Sequence, residues 1–168
     1  AEDTLRQGLD PAAASPEPAD GKLMGETQAT VSGRRPDHLH CFGDTLYALP
    51  VPAESLPLSG LRVLRAGLQL GSAVKGRFVP SHSLGMALRP KEVKRTLDLA
   101  GSGGEAYAWI RGETISLPPA CADWKGWVLV CIDGCAAGWG KAAGGMVKNH
   151  YPKGLRKGSG YRPEKPER

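Results

Sequence analysis

The chain has 168 residues, 40% of them hydrophobic and 23% charged, with a formal net charge of +5. That length builds one ordinary domain or two small ones and leaves no room for a large enzyme. No apolar run approaches the ~20 residues of a bilayer-spanning helix, and the acidic, Pro-containing N-terminus lacks the basic-then-apolar layout of a signal peptide, so a soluble, cytoplasmic protein is expected, with no membrane partner. Four cysteines are too few for a disulfide scaffold and fit a reducing compartment. Charge is distributed unevenly: residues 1–30 carry six acids and two bases, whereas 141–168 carry eight bases and two acids. A C-terminal end facing a polyanion is the natural reading.

In chain order, residues 1–37 contain four Pro, four Gly and none of Phe, Trp or Tyr. They read as a linker or mobile extension, because they bury too little apolar surface to offset ordering. LHCF and TLYALP then suggest short strands around Gly43-Asp44. LRVLRAGLQL, residues 61–70, suggests a longer strand, with Leu64, Ala66, Leu68 and Leu70 on one face and Arg65 and Gln69 on the other. Beyond Gly76-Arg77-Phe78, Ser81 can cap a short helix in which Leu84, Ala87 and Leu88 form a stripe, and Pro90 forces Arg89 out of helical conformation. A second helix is expected from Glu105 to Arg111, closed by Gly112.

Asp133-Gly134 between Trp127–Ile132 and Cys135–Lys141 is a strong hairpin signal. A two-residue turn sets Cys131 opposite Ala136 and Ile132 opposite Cys135, so Cys131 and Cys135 point to opposite faces and can share neither a disulfide nor a metal. An uninterrupted register sets Trp127 and Leu129 opposite Gly140 and Gly138. It also sets Val128, Val130 and Ile132 against Trp139, Ala137 and Cys135. Both faces are apolar, which suits a small β-barrel with short helices at its rim.

Enzymatic signals are weak. TLDLAGSGGEAYAWI, residues 96–110, could be a strand, a Gly-rich turn and a helix cradling a nucleotide or S-adenosylmethionine. However, KEVKRT before it is too charged for a buried parallel strand, and too little chain follows to complete a doubly wound sheet. A plain turn is the better account. DHLHC brings His38 and His40 to one strand face near Asp37 and Cys41 but has no second ligand pair. Cys121 has no neighbouring His to raise its thiolate fraction, and Ser81 with His82 cannot face one another on a helix. No catalytic centre, cofactor site or metal site emerges.

The basic constellation remains: Lys141, Lys148, Asn149, His150, Tyr151, Lys153, Arg156 and Lys157, most of it in MVKNHYPKGLRK. Lys and Arg suit phosphate, Asn and His suit polar edges, and Tyr suits stacking. Met146, Val147 and Leu155 are expected to anchor the segment, and Arg65 and Arg77 could extend the surface.

At these residues the sequence resembles the C-terminal part of bacterial RsmF-like, Sun/Nop-type rRNA cytosine-5 methyltransferases. The resemblance is carried by LRVLRAGLQLGSAVKGRFVPSHSLGMAL, EAYAWIRGETISL and KGWVLVCIDGCAAGWGKAAGGMVKNHYPKGLR. It implies an α+β chain: a linker over 1–37, a small α/β bridging subdomain over 38–98, a PUA-like mixed β-barrel over 99–160 that binds ribosomal RNA, and a basic tail over 161–168. It also implies what is missing, since the family's catalytic cysteines lie in motifs such as PCSGEG, and Cys41, Cys121, Cys131 and Cys135 have no such context. The chain alone is therefore expected to be a monomeric, non-enzymatic RNA-binding portion of such a protein. S-adenosylmethionine and the methyltransferase domain belong to the parent. The alternatives are a structural clamp on a catalytic domain and a free-standing RNA-binding protein.

Overall fold

The computed structural model describes residues 30–31, 36–56 and 63–158, and the chain divides into two compact units between Ala87 and Leu88. The region read as a linker and the basic tail lie almost entirely outside the described residues.

In the first unit, β1 (His38–Phe42), β2 (Thr45–Leu49), β3 (Leu68–Val74) and β4 (Arg77–Pro80) form an antiparallel meander in the order β1-β2-β3-β4. The β1–β2 strands and their Gly43-Asp44 turn are as expected from sequence. Between β3 and β4, Lys75 and Gly76 both take positive φ, 52° and 69°, the conformation whose twist matches a two-residue hairpin. Alternation buries Phe42, Tyr47 and Leu49 together, with Leu56 and Ala66 packed against them. Gly71 is required by close approach: a Cβ there would lie 2.3 Å from the Phe78 ring.

β3 begins only at Leu68, and Leu64 is 82% exposed, so the long strand expected over 61–70 does not form; residues 57–62 lie outside the described set. Helix α1 (His82–Ala87) is capped as anticipated, Leu84 N–H donating to Ser81 Oγ at 3.0 Å. Its expected stripe reduces to Leu84, since Ala87 is exposed and Leu88 lies beyond the helix. Arg89 is extended, at φ −83° and ψ 149°, before Pro90.

The second unit is a five-stranded mixed sheet curled into a small half-barrel, in the order β5-β7-β8-β9-β6. Its strands are β5 (Thr96–Leu99), β6 (Ile115–Ser116), β7 (Gly126–Ile132), β8 (Cys135–Ala143) and β9 (Met146–Asn149). Helix α2 (Gly104–Arg111) ends on Gly112 at φ 90°, where the left-handed cap favours glycine. It lays Ala106 and Trp109 on Leu97, Leu99, Ile115, Leu117, Val128, Val130, Ala142 and Val147. Trp109 is fully buried at the centre.

β5 pairs in parallel with β7, a pairing the charged KEVKRT argued against. The strand starts at Thr96, the last residue of that run, and occupies an edge of the sheet, with Asp98 facing out, so it needs no continuous apolar run. The Gly-rich turn that follows is clasped by the β7–β8 turn. Gly101 N–H donates to Asp133 Oδ1 at 2.9 Å, Gly134 N–H to Asp98 Oδ1 at 3.0 Å, and Asp133 N–H to the Leu99 carbonyl at 3.0 Å.

At its tip the β7–β8 hairpin matches the register expected from sequence, with Cys131 opposite Ala136 and Ile132 opposite Cys135, and positive φ at Asp133 and Gly134. Cys131 is buried and Cys135 exposed. A β-bulge then inserts Ala137, with Gly138 at φ 138°, so that Val130 pairs with Gly138, Leu129 with Trp139, Val128 with Gly140 and Trp127 with Lys141. The uninterrupted register is thus one residue off along most of the hairpin, and Trp127 does not face Gly140. Gly140 lies on the inner face instead. A Cβ there would stand 2.3 Å from Val147 Cγ1 and 3.0 Å from Trp109 Cη2, and neither the β-branched Val147 nor the buried indole yields easily. Gly140→Val should therefore destabilise the unit by about 1–3 kcal/mol, read as a melting temperature lowered by ~4 °C or more.

Candidate nucleic-acid interface

The bulge sorts the sheet's residues onto two faces. Inward go Val128, Val130, Gly140, Ala142, Val147 and Asn149; outward go Trp127, Leu129, Trp139, Lys141, Lys148 and His150. On the outer face Leu129, Cys131 and Trp139 are buried, whereas Trp127 is half-buried and Lys141, Lys148 and His150 are exposed. The face is therefore open at the end remote from the Asp133-Gly134 turn.

At that open end Lys141 stands between Trp127 on β7 and Lys148 on β9. Its ammonium lies 5.5 Å from the Trp127 ring centroid, within cation–π range. His150 N–H donates to the Trp139 carbonyl at 3.1 Å, extending the β8–β9 ladder past Asn149. Its ring meets Trp127 edge-on, with centroids 4.8 Å apart and planes at 78°. Lys141 and Lys148 are like charges directly opposite one another, an arrangement that destabilises a sheet, and neither has a carboxylate partner among the described residues. The His150 imidazole is held below its usual pKa by burial first, then by Lys148, Lys141 and Arg156. The three cations thus add to an effect that burial of the ring begins.

The rest of the basic segment folds back on the half-barrel through polar contacts. Asn149, 9% exposed, donates from Nδ2 to the Trp109 carbonyl at 2.8 Å and accepts the Tyr151 N–H at its Oδ1, also at 2.8 Å. Arg156 Nε donates to the Tyr151 carbonyl at 3.1 Å, and Lys157 N–H to the Ile110 carbonyl at 3.2 Å. Arg156 lies so close to Gly112 that a Cβ there would be 2.5 Å from its Cδ and Nε. Tyr151 packs against the core cluster, half-buried.

These contacts revise the roles read from sequence. Val147 is an anchor, but Met146 and Leu155 are 41% and 48% exposed; Asn149 and Arg156 hold the segment in their place. Asn149 cannot offer its amide to a ligand while it serves Trp109 and Tyr151. Lys153 and Lys157 are exposed around a 3-10 turn over Lys153–Leu155. Arg65 and Arg77, both exposed, belong to the first unit. In the first unit too, His40 of the DHLHC stretch packs its ring on Phe42, with centroids 4.6 Å apart. Sequence reasoning overlooked Trp127, because the uninterrupted register sent its ring inward. Its adjacency to Lys141 follows only from the bulge.

Residues 96–157, from β5 to the end of the basic segment, match the family model of the methyltransferase RsmF PUA domain. Residues 24–88 match that of the RsmF rRNA methyltransferase first C-terminal domain. The chain belongs to the C-terminal region of the RsmF-like rRNA methyltransferases. No curated protein matches it. The RsmF first C-terminal domain model begins at residue 24, within the segment that composition reads as a linker. The RsmF PUA model begins at β5, whose pairing with β7 ties it to the second unit, whereas the sequence reading carries the bridging subdomain to residue 98.

Two outcomes follow from this geometry. Asn149→Ala removes one of two donors to the Trp109 carbonyl, which keeps the Gly112 N–H at 2.9 Å, and leaves the Tyr151 N–H without its acceptor, so it should cost about 1–3 kcal/mol, seen as a lowered denaturation midpoint. Replacing Lys141 and Lys148 together by Ala should raise the His150 pKa toward 6.5 without restoring it, since burial, the largest cause of its depression, remains. NMR titration of the imidazole C–H resonances would register the change.

Proposed function

We propose that this chain is the rRNA-binding C-terminal module of an RsmF-like methyltransferase, presenting ribosomal RNA to a catalytic domain of the parent enzyme that carries S-adenosylmethionine and transfers the methyl group. The observation that carries this reading is the facing pair Lys141 and Lys148, set side by side at the open end of the outer sheet face with no carboxylate partner among the described residues. A fold tolerates that repulsion where a polyanion relieves it. Lys153 and Lys157 extend the cationic surface along the segment that Asn149 and Arg156 hold in place.

The module binds rather than catalyses. The Cys131 thiol is pushed up to about 11 by burial, Asp98 and Cys135, so it stays protonated at neutral pH and is a poor nucleophile. In the Gly-rich turn the Asp133 carboxylate already accepts the Gly101 N–H, with Asp98 beside it. Two carboxylates there repel the phosphate or carboxylate of a cofactor.

Binding to a ribosomal RNA fragment is expected to weaken steeply with salt. Lys141, Lys148 and Lys153 replaced together by Ala should flatten the log–log slope by about two units, at roughly 0.7 per phosphate contact on single strands, with the melting temperature held or raised, because the Lys141–Lys148 repulsion is removed. Coincident curves for two folded proteins would overturn the reading and favour a structural clamp. With labelled S-adenosylmethionine and ribosomal RNA, the chain alone should transfer no label to cytosine; transfer above a no-protein control would refute the non-catalytic role.

A further inference from the structure

Resting on that reading, we propose that the open end of the outer sheet face is a subsite for an unpaired stretch of RNA, with neighbouring phosphates on Lys141 and Lys148 and one base against the Trp127–His150 pair. Leu129 and Trp139 on this face are buried, whereas Trp127 remains half-buried beside three polar side chains. An indole at such a border supplies apolar contact area with a rigid, electron-rich face. In the free protein that face attracts the Lys141 ammonium. A phosphate draws the ammonium more strongly than a ring does, and the solvent-facing part of the half-buried indole is where a base makes contact.

His150 contributes differently from the lysines. Burial and its three cationic neighbours lower its pKa and so favour the neutral ring, which meets a base edge as donor and acceptor rather than as a counter-charge. Charge also sets the path of the strand. Asp98 and Asp133 close the opposite end of the sheet around the Gly-rich turn, so a phosphate chain crosses β7, β8 and β9 at the open end instead of running to the hairpin tip. A duplex hides its base faces within the stack and gains nothing from Trp127. The subsite therefore selects unpaired RNA.

The test compares a labelled single-stranded oligouridine with a blunt RNA duplex of equal length, using the full chain. Trp127→Leu should weaken single-strand binding about tenfold with the salt slope unchanged, leave duplex binding as it was, and be largely rescued by Trp127→Phe. Photocrosslinking of a 4-thiouridine-substituted strand to the wild-type protein should map to Trp127 or His150, which decides the matter even if Trp127→Leu fails to fold. Salt-dependent binding with crosslinks at residues 100–103, or equal single-strand affinity in folded Trp127→Leu, would overturn the subsite and leave the RNA-binding reading standing. No binding of either RNA at low salt would overturn both.

Discussion

The extra residue in β8 decides the chemistry of both faces of the second sheet. The Asp133-Gly134 turn alone would carry its register unchanged along β7 and β8, setting Trp127 against Gly140. Inserting Ala137 advances every later residue of β8 by one position, and side-chain direction alternates at each step. Gly140 thereby comes under Trp109 and beside Val147, where a side chain could not be accommodated. Lys141 comes out beside Trp127, and through β9 the same step brings Lys148 and His150 to that surface. Packing of the core and exposure of the cations are two consequences of one local irregularity.

The second constraint is the disposal of backbone polar groups at the end of α2. The last carbonyls of a helix need donors. Here those of Trp109 and Ile110 receive the Asn149 side chain and the Lys157 N–H, while Gly112 makes room for Arg156. The segment that composition marks as basic thus serves as the helix's C-terminal closure. Its polar residues divide into those turned in, Asn149 and Arg156, and those turned out, Lys148, His150, Lys153 and Lys157. Residue type alone cannot make that division, because an amide or a guanidinium suits a carbonyl as well as it suits a nucleic acid.

What was legible in the sequence is what local chemistry determines. The Asp133-Gly134 turn, the Ser81 cap, the extended Arg89 before Pro90 and the Gly112 stop each depend on a few neighbouring residues. The apolar hairpin suggested the small barrel, and the resemblance supplied the family and the barrel's PUA-like type. Beyond that range the reading fails for identifiable reasons. Leu64 and Leu68 fall on one face like strand residues, yet the part of the stretch that finds partners, on β2 and β4, begins only at Leu68. The parallel β5–β7 pair joins residues some thirty apart, and no periodicity encodes it. The bulge leaves only glycine at position 138 as its mark, and β-strand glycines have several other uses. The cationic surface was visible as composition, whereas its aromatic member, Trp127, was not.

Electrostatics complete the picture by giving β8 a direction. Its hairpin end is flanked by Asp98 and Asp133, whose carboxylates are spent on the N–H groups of Gly134 and Gly101. Its other end carries Lys141 against Lys148. From Cys135 to Lys141 a strand extends roughly 20 Å, about two and a half Debye lengths at physiological salt. At that distance the acids are too well screened to cancel the lysines, yet they deny a polyanion the hairpin tip. On the proposed reading, a polyanion approaching this sheet would consequently be drawn to one end and turned across the strands. The sequence-wide imbalance of charge becomes a local orientation, and the same bulge that packs Gly140 beneath Trp109 places the cations where they can impose it.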